Sequence, residues 1–183
     1  MSLKITYFVH GTTTDNERDL ATGWAHGELS ELGKKQAKEL GQQAPAQFDA
    51  IFCSDLQRAI DSAHLAFDGR CPILVDERLR EADYGDYTQK PADDFKQDLV
   101  KYIDQPFPNG ESYRDIERRI AAFIETVNKS YKGKHIAIVA HQGPQLALDV
   151  VLKGKTWEQA MTEDWRHKKE WKPGWEYIVE DSE

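Results

Sequence analysis

The sequence predicts an α/β protein with a mainly parallel central sheet that helices cover on both faces. Two observations lead to this fold class. Short apolar runs alternate along the chain with amphipathic helical segments, a pattern typical of parallel strands joined by right-handed crossovers. The apolar runs are nearly continuous, which indicates strands that are buried on both faces of a sheet.

Five segments are predicted as strands. They are KITYFV (residues 4–9), FDAIFC (48–53), PILV (72–75), HIAIVA (135–140) and, near the end of the chain, WEYIVE (175–180). The first four are short apolar runs of strand length bounded by polar residues. The fifth is predicted as an additional strand of the same sheet.

Four helices are predicted between these strands. SELGKKQAKELGQQ (residues 30–43) starts with a serine cap and repeats its apolar residues at helical spacing. SDLQRAIDSAHLAF (54–67) is predicted to begin at Ser54 and carries one apolar stripe. A longer helix, SYRDIERRIAAFIETVNKSY (112–131), and a shorter one, PQLALDVVL (144–152), follow.

The length of 183 residues favours one domain, spanning residues 1–183. No repeat or Gly/Ser linker divides the chain. Residues 83–110 differ from the rest because they carry Pro, Asp and Gln, and we predict that they form a lid. Aromatic residues crowd the carboxyl-terminal segment and favour core packing or a contact between two copies, so a homodimer is considered.

Composition excludes several classes of partner. The net charge is -8, from 32 acidic and 24 basic residues, and such a field repels nucleic acid and anionic lipid. No apolar run approaches the roughly 20 residues that span a bilayer, and no basic apolar leader opens the chain. Two cysteines, Cys53 and Cys71, fit a reduced, cytoplasmic protein, although one disulfide bond is left open.

Polar residues follow the predicted strands at their carboxyl ends. His10 follows the first strand, Arg58 lies in the segment after the second, Glu81 follows the third by a few residues, and His141 follows the fourth. Ligands of open α/β sheets bind beyond the carboxyl ends of the strands, where the loops converge. We therefore expect these four residues to meet at one edge.

Two histidines, an arginine and a carboxylate suit phosphoryl transfer. One imidazole can attack phosphorus, while the arginine and the second imidazole hold the equatorial oxygens and the carboxylic acid protonates the leaving oxygen. Thr13, Asn16 and the amides near Gly11 and Gly23 are candidate neutral donors to the anion. The other histidines show no metal-ligand spacing, so neither a metal nor a cofactor is expected.

The motifs resemble those of the histidine phosphatase superfamily, also called phosphoglycerate mutase-like. HGTTTDN is similar to the family's His-Gly opening and its Asn, LSELGKKQA to its first-helix signature, and SDLQRAIDSA to its Ser-Asp-Leu-x-Arg-Ala helix. LREADYG, NGES and VAHQG resemble the acid-bearing loop, the Gly-Glu-Ser turn and the second histidine. The resemblance covers most of the chain and implies a three-layer α/β/α sandwich.

The resemblance also implies an activity. It makes His10 the residue that becomes phosphorylated, Arg58 and His141 contacts of the phosphoryl group, and Glu81 the proton donor. The implied protein is a metal-independent phosphomonoester hydrolase acting on a small phosphorylated metabolite, with that substrate or inorganic phosphate as its partner. The acid is left open, because Asp83 and Asp86 lie in the same EADYGD segment.

One departure from the family pattern bears on activity. The family has Arg-His-Gly where this chain has Val9, His10 and Gly11. Losing one preorganised donor commonly costs about 10²–10³ in rate, so a weakly active or inactive protein that binds phosphorylated ligands is the alternative function. Arg80 and Arg18 are conceivable substitutes. If Val9 is the limiting defect and the pocket has room, Val9→Arg is expected to raise activity about 10-fold or more.

Overall fold

The computed structural model describes residues 2–168 and 174–180, and its centre is a five-stranded sheet. The strands are β1 (Leu3–Val9), β2 (Ala50–Cys53), β3 (Ile73–Val75), β4 (His135–Ala140) and β5 (Trp175–Val179). Their order across the sheet is β3-β2-β4-β1-β5. The pairs β3–β2, β2–β4 and β4–β1 are parallel, and β5 runs antiparallel to β1 at one edge. The mainly parallel sheet and the additional fifth strand are therefore confirmed.

Seven helices connect the strands within the described residues. They are α1 (Thr14–Glu17), α2 (Glu31–Gln43), α3 (Gln57–Phe67), α4 (Asp93–Lys96), α5 (Tyr113–Ser130), α6 (Gln142–Lys153) and α7 (Trp157–Thr162). Short 3₁₀ turns lie at Glu77–Leu79, Gly85–Tyr87, Leu99–Tyr102 and Trp165–Lys168. None of these helices is both long and apolar enough to cross a membrane.

Two apolar cores lie on opposite faces of the sheet, and β1 contributes to both. Leu3, Ile5 and Tyr7 pack into the larger core, whereas Phe8 packs into the smaller one, as the two-residue period of a strand requires. The larger core receives α5 and α6, and the smaller core receives α2 and α3. Each fully buried large side chain contributes about 1.5–3 kcal/mol. Helices thus cover both faces, and the predicted α/β/α architecture is confirmed.

The edge strand β3 departs from the expectation of burial on both faces. Leu74 is 38% exposed and Val75 is 54% exposed. The reason is position, since β3 pairs with β2 alone and ends the sheet. An apolar run at a sheet edge therefore has the same sequence pattern as a central strand, but its side chains are buried less completely.

The start of α3 corrects one helix boundary. The helix begins at Gln57 and not at Ser54, because the Ser54 N–H donates to the Val139 carbonyl (3.2 Å) and continues the sheet. Leu56 is the residue that precedes the first helical turn, and it offers no side-chain cap. The serine cap predicted for α2 is confirmed, since Ser30 Oγ accepts the Gly33 N–H (3.1 Å).

Residues 83–110 are anchored by aromatic packing. The rings of Tyr102 and Phe107 stack with centroids 4.0 Å apart, and Phe95 meets Phe107 edge-on at 5.4 Å. All three side chains are buried and belong to the larger core. The segment also lines the cavity described below, with Tyr84, Phe95 and Leu99 among its lining residues. The role of this segment as a lid stays a prediction.

Candidate active site

A cavity of about 290 Å³ opens beyond the carboxyl ends of β1 and β4. Three of the four predicted catalytic residues line it, namely His10, Arg58 and Glu81. The fourth, His141, is fully buried behind His10, and the two imidazole rings lie 5.0 Å apart at an angle of 61°. The structure thus brings together all four residues that sequence analysis selected.

The His10 ring is oriented by a backbone contact. Its Nδ1 lies 2.7 Å from the Gly11 carbonyl oxygen, and because a carbonyl only accepts, Nδ1 carries the proton. Nε2 is then the nitrogen with the lone pair. Burial and the nearby Arg58 charge lower the pKa of His10 to about 3, so the ring is neutral at physiological pH. A neutral imidazole with a defined lone pair is the form that can attack phosphorus.

His141 directly follows β4 and precedes the first residue of α6. Its backbone N–H donates to the Tyr7 hydroxyl (3.0 Å), and that hydroxyl donates to the His141 carbonyl (2.6 Å). In the part of the chain that the structure describes, neither ring nitrogen has a hydrogen-bond partner. Burial, followed by the Arg58 charge, lowers its pKa well below the usual value. A buried imidazole without partners indicates a group that meets a ligand.

Arg58 supplies a buried positive charge from the first turn of α3. Only 2% of the residue is exposed, and its guanidinium donates to the carbonyls of Ala25 (3.0 Å) and Gly23 (2.7 Å). Burial lowers its pKa from the ordinary value. Among the described residues it forms no direct ion pair, although the charges of Glu81 and Asp15 act on it from a greater distance. A buried charge without a direct partner is costly. An anion in the cavity would compensate this charge.

Glu81 is held against the amino end of α6. Its Oε1 accepts the N–H groups of Ala82 and Gly143 (both 2.9 Å), and its Oε2 accepts the Gln142 N–H (3.2 Å). The positive end of the α6 dipole and these donors position the carboxyl group at the cavity wall. Oε2 makes the single, longer contact and is the oxygen better placed to exchange a proton.

The two aspartates that were left open as alternative acids lie elsewhere. Asp83 Oδ1 accepts the Gly85 N–H (3.0 Å), and Asp86 accepts the Asn109 side-chain amide (3.1 Å). Neither lines the cavity, whereas Glu81 does. The geometry therefore favours Glu81 among the three candidates.

Two of the candidate phosphate donors do not line the cavity. The Gly11 N–H donates to Ser62 Oγ (3.0 Å), and a Cβ at Gly11 would lie 2.2 Å from the Gly33 carbonyl oxygen, so this glycine permits close packing on α2. Thr13 is fully buried and caps α1, its Oγ accepting the Asn16 N–H (3.0 Å). Both residues shape the loop after His10 from outside the cavity.

Asn16 and Gly23 do line the cavity. Asn16 Oδ1 accepts the Thr13 N–H (3.0 Å), so its side-chain amide nitrogen is the group that it can offer to an anion. Gly23 adopts a φ of 53° and directs its carbonyl to Arg58, and a Cβ there would meet the Tyr84 ring at 3.1 Å. Gly23 therefore positions the arginine, and its role as a direct phosphate donor stays a prediction.

Neither conceivable substitute for the motif arginine reaches the cavity. Val9 packs against the larger core and lines a separate cavity of about 10 Å³. Arg80 forms a salt bridge with Asp55 (Nη2–Oδ2 2.5 Å), and its guanidinium lies over the Trp24 ring at 4.7 Å. Arg18 is exposed at the end of α1.

Two cations of the cavity were missed by sequence analysis. Lys96, the last residue of α4, is one of them. The other, Arg166 from the Trp165–Lys168 turn, lines the same cavity as the motif residues. Its Nη1 donates to Asp164 Oδ1 (2.7 Å) and Gln145 Oε1 (3.3 Å). It belongs to none of the six motifs. The acidic-aromatic-basic triplet from Asp164 to Arg166 is the only clue in the sequence, and it is a weak one.

Metal and thiol chemistry find no site among the described residues. No group of three or more His, Cys, Asp or Glu side chains there is arranged to hold a metal ion. Both cysteines are free thiols, and burial raises the pKa of Cys53 to about 12. A buried, protonated thiol at the end of β2 is a packing residue.

A family model and a curated relative agree on the family that this chain resembles. Residues 7–168 match the model of the histidine phosphatase superfamily (branch 1). A 2,3-bisphosphoglycerate-dependent phosphoglycerate mutase of Methylobacterium sp. (strain 4-46) is 33% identical over 166 residues, covering 81% of this chain and 80% of that protein.

Solved structures are similar over most of the chain. The mycobacterial glucosyl-3-phosphoglycerate phosphatase has a TM-score of 0.75 and 28% identity, covering 87% of this chain and 86% of that one. The α-ribazole phosphatase from Shigella flexneri also has a TM-score of 0.75 and 28% identity, covering 87% and 84%. These relatives include both mutases and phosphatases.

Proposed function

The chain belongs to the histidine phosphatase superfamily, and on that premise we propose that it is a metal-independent phosphomonoesterase that acts through a phosphohistidine at His10. One observation carries the proposal. A neutral His10 ring, with its lone pair on Nε2, lines a cavity together with a buried arginine, Arg58, that forms no direct ion pair among the described residues. A nucleophile beside a buried cation suits a phosphate ester.

The first half-reaction forms the phosphoenzyme. His10 Nε2 attacks phosphorus and forms the N–P bond while the bond from phosphorus to the ester oxygen breaks. Arg58 and His141 stabilise the charge on the equatorial oxygens. Glu81, entering the step protonated, gives its proton to the leaving oxygen, so that an alcohol departs.

The second half-reaction restores the enzyme. The Glu81 carboxylate takes a proton from a water molecule, whose oxygen attacks phosphorus as the N–P bond breaks. Inorganic phosphate leaves, Glu81 is again protonated, and the electron pair returns to Nε2. Atoms and charges therefore balance over the cycle, and no metal or cofactor takes part.

Hydrolysis, not intramolecular phosphate transfer, is the favoured outcome. The solved structures reported above are named as phosphatases. Apolar side chains (Leu20, Phe95 and Leu99) and two further cations (Lys96 and Arg166) share the cavity lining, so carboxylated esters belong in the substrate panel. Because relatives are named as mutases as well as phosphatases, both reactions need to be measured.

A substrate panel tests the proposal. Purified protein is incubated with aryl, alkyl, sugar and amino-acid phosphates, with and without a chelator, and with 3-phosphoglycerate plus its bisphosphate. We expect phosphate release that is insensitive to chelator, and a phosphoenzyme that is labile in acid and stable in base. His10→Ala should abolish both, and Arg18→Gln should leave both unchanged. Absence of turnover above the His10→Ala background across the panel would refute the proposal that the protein is a phosphomonoesterase.

A second function is favoured by one specific observation. Val9 stands where the family's arginine would be, so the protein is alternatively a weakly active or inactive binder of phosphorylated ligands. Calorimetry distinguishes the two functions. Tight binding of phosphate esters without turnover supports the binder, whereas turnover at the rate of arginine-containing relatives rejects it.

A further inference from the structure

The cavity contains a guanidinium that no family motif provides. Arg166 lines the same cavity as His10 and Arg58, and 21% of its side chain is exposed. It reaches the cavity from the opposite end of the chain, after α7. Val9, which would carry the arginine of the family's first motif, does not line this cavity.

Arg166 lies close to the predicted phosphoryl site. Its Nη1 is 3.3 Å from Gln145 Oε1, and Gln145 is in the first turn of α6. The residue before that helix is His141, whose ring is 5.0 Å from the ring of His10. The guanidinium therefore lies beside the first turn of α6, which directly follows His141.

The side chain is held in place before any ligand binds. Asp164 Oδ1 accepts both the Arg166 backbone N–H (3.1 Å) and Nη1 (2.7 Å), and the carboxylate is almost fully buried. Asp164 also accepts the side-chain amide of Gln142 at the start of α6, and the guanidinium lies over the Trp175 ring at 5.4 Å. A donor oriented in this way needs no reorganisation during the reaction.

The charge of Arg166 acts on His10. Burial and Arg58 are the main causes that lower the pKa of His10, and Arg166 adds to them in the same direction. A positive charge that acts on His10 also acts on an anion bound beside it.

We propose that Arg166 binds the transferring phosphoryl group and so replaces the guanidinium that is absent from position 9. This inference rests on the proposed function in one respect, that the anion of the cavity is a phosphoryl group. A guanidinium is a permanently charged donor that is well suited to phosphate oxygens. Binding a carboxylate elsewhere on the substrate is the rival role for the same cation.

Oxyanion affinity tests the inference without requiring turnover. The dissociation constants of inorganic phosphate and orthovanadate are measured by calorimetry for the parent, Arg166→Gln, Arg166→Lys and, as an exposed control, Arg18→Gln. We expect Arg166→Gln to weaken both anions about 10-fold or more and Arg18→Gln to change neither. Arg166→Lys keeps a positive charge beside Asp164 and should therefore fold. It should retain only part of the affinity for phosphate, because lysine lacks the forked N–H donors of a guanidinium.

Kinetics then separates the phosphoryl role from the carboxylate role. Arg166→Gln should lower kcat/KM about 10²–10³-fold for esters with and without a carboxylate alike. Melting temperatures confirm folding, and Asp164→Asn/Arg166→Gln provides a second variant that leaves no unpaired buried carboxylate. With Arg166 in place, Val9→Arg should bring no increase, in contrast to the gain of about 10-fold expected if Val9 is the limiting defect.

The outcomes are distinct. Unchanged phosphate affinity in folded Arg166→Gln, a loss confined to carboxylated esters, or a 10-fold gain from Val9→Arg would each overturn the role of Arg166. If neither the parent nor any variant turns over an ester but Arg166→Gln weakens phosphate binding, the role of Arg166 stands and the phosphomonoesterase proposal fails.

Discussion

Replacing Gly143 by alanine perturbs Glu81 without changing its carboxyl group. Gly143 lies in the first turn of α6, and its N–H donates to Glu81 Oε1 (2.9 Å). A Cβ at this position would lie 2.5 Å from the same oxygen and 3.4 Å from Ile116 Cδ1. The backbone itself favours the change, since alanine is better than glycine in a helix by about 1 kcal/mol. The variant should therefore fold and displace the carboxyl group.

The size of the displacement follows from the contact. Real Cβ atoms essentially never approach another atom closer than 3.0 Å, so Oε1 must move by at least 0.5 Å. A misplacement of about 1 Å can cost about 10²-fold in rate, and general acid catalysis contributes about 10²–10⁴-fold. We therefore expect kcat to fall about 10–100-fold for esters whose leaving group needs a proton.

The assay compares two classes of leaving group. An alkyl phosphate needs protonation of its leaving oxygen, whereas 4-nitrophenyl phosphate releases a stable anion. Gly143→Ala should lower kcat/KM for the alkyl ester about 10-fold or more and for the nitrophenyl ester by at most about 3-fold. Phosphate affinity, measured by calorimetry, should change little because Arg58 and the histidines are untouched.

A double-mutant cycle decides whether the effect passes through Glu81. In the Glu81→Ala background no carboxyl group is left to displace, so Gly143→Ala should have no further effect on the alkyl ester. Equal losses for the two esters, or an undiminished loss in the Glu81→Ala background, would show that the reasoning about Glu81 is wrong.

Three further predictions concern the surroundings of the site. The free energy of unfolding should fall as the pH drops below about 6.5. The reason is that His10 becomes protonated there in the unfolded chain, whereas in the folded protein it stays neutral down to a pH of about 3. His10→Gln should therefore shift acid unfolding to lower pH. Thr13→Ala should cost about 1 kcal/mol in urea unfolding and leave phosphate affinity unchanged, since Thr13 caps α1 outside the cavity. Arg119→Ala should cost about 2–4 kcal/mol in urea unfolding and lower kcat, because the Arg119 guanidinium donates to the carbonyls of Arg78 (2.6 Å) and Glu81 (3.0 Å).

Local patterns in the sequence were sufficient for the fold and for the two histidines. Strand and helix periods act over a few residues, so they identified the parallel strands and the serine cap at Ser30. His10 and His141 each follow directly after a strand, and the carboxyl ends of parallel strands meet at one edge. The positions of both imidazoles therefore followed from short-range information.

Other features of the site depended on packing between distant segments. Glu81 is distinguished from Asp83 because its carboxyl group accepts the N–H groups of Gln142 and Gly143 in α6, about 60 residues further along the chain.

Arg166 shows the same limit most clearly. No local pattern marks it, because its place in the cavity depends on α7, on the buried Asp164 carboxylate and on the first turn of α6 that receives both. Secondary structure is determined by neighbours in sequence, whereas a charge meets its ligand through neighbours in space. The sequence by itself determined the strands and the two candidate histidines, and only the tertiary structure decided which arginines line the cavity beside His10.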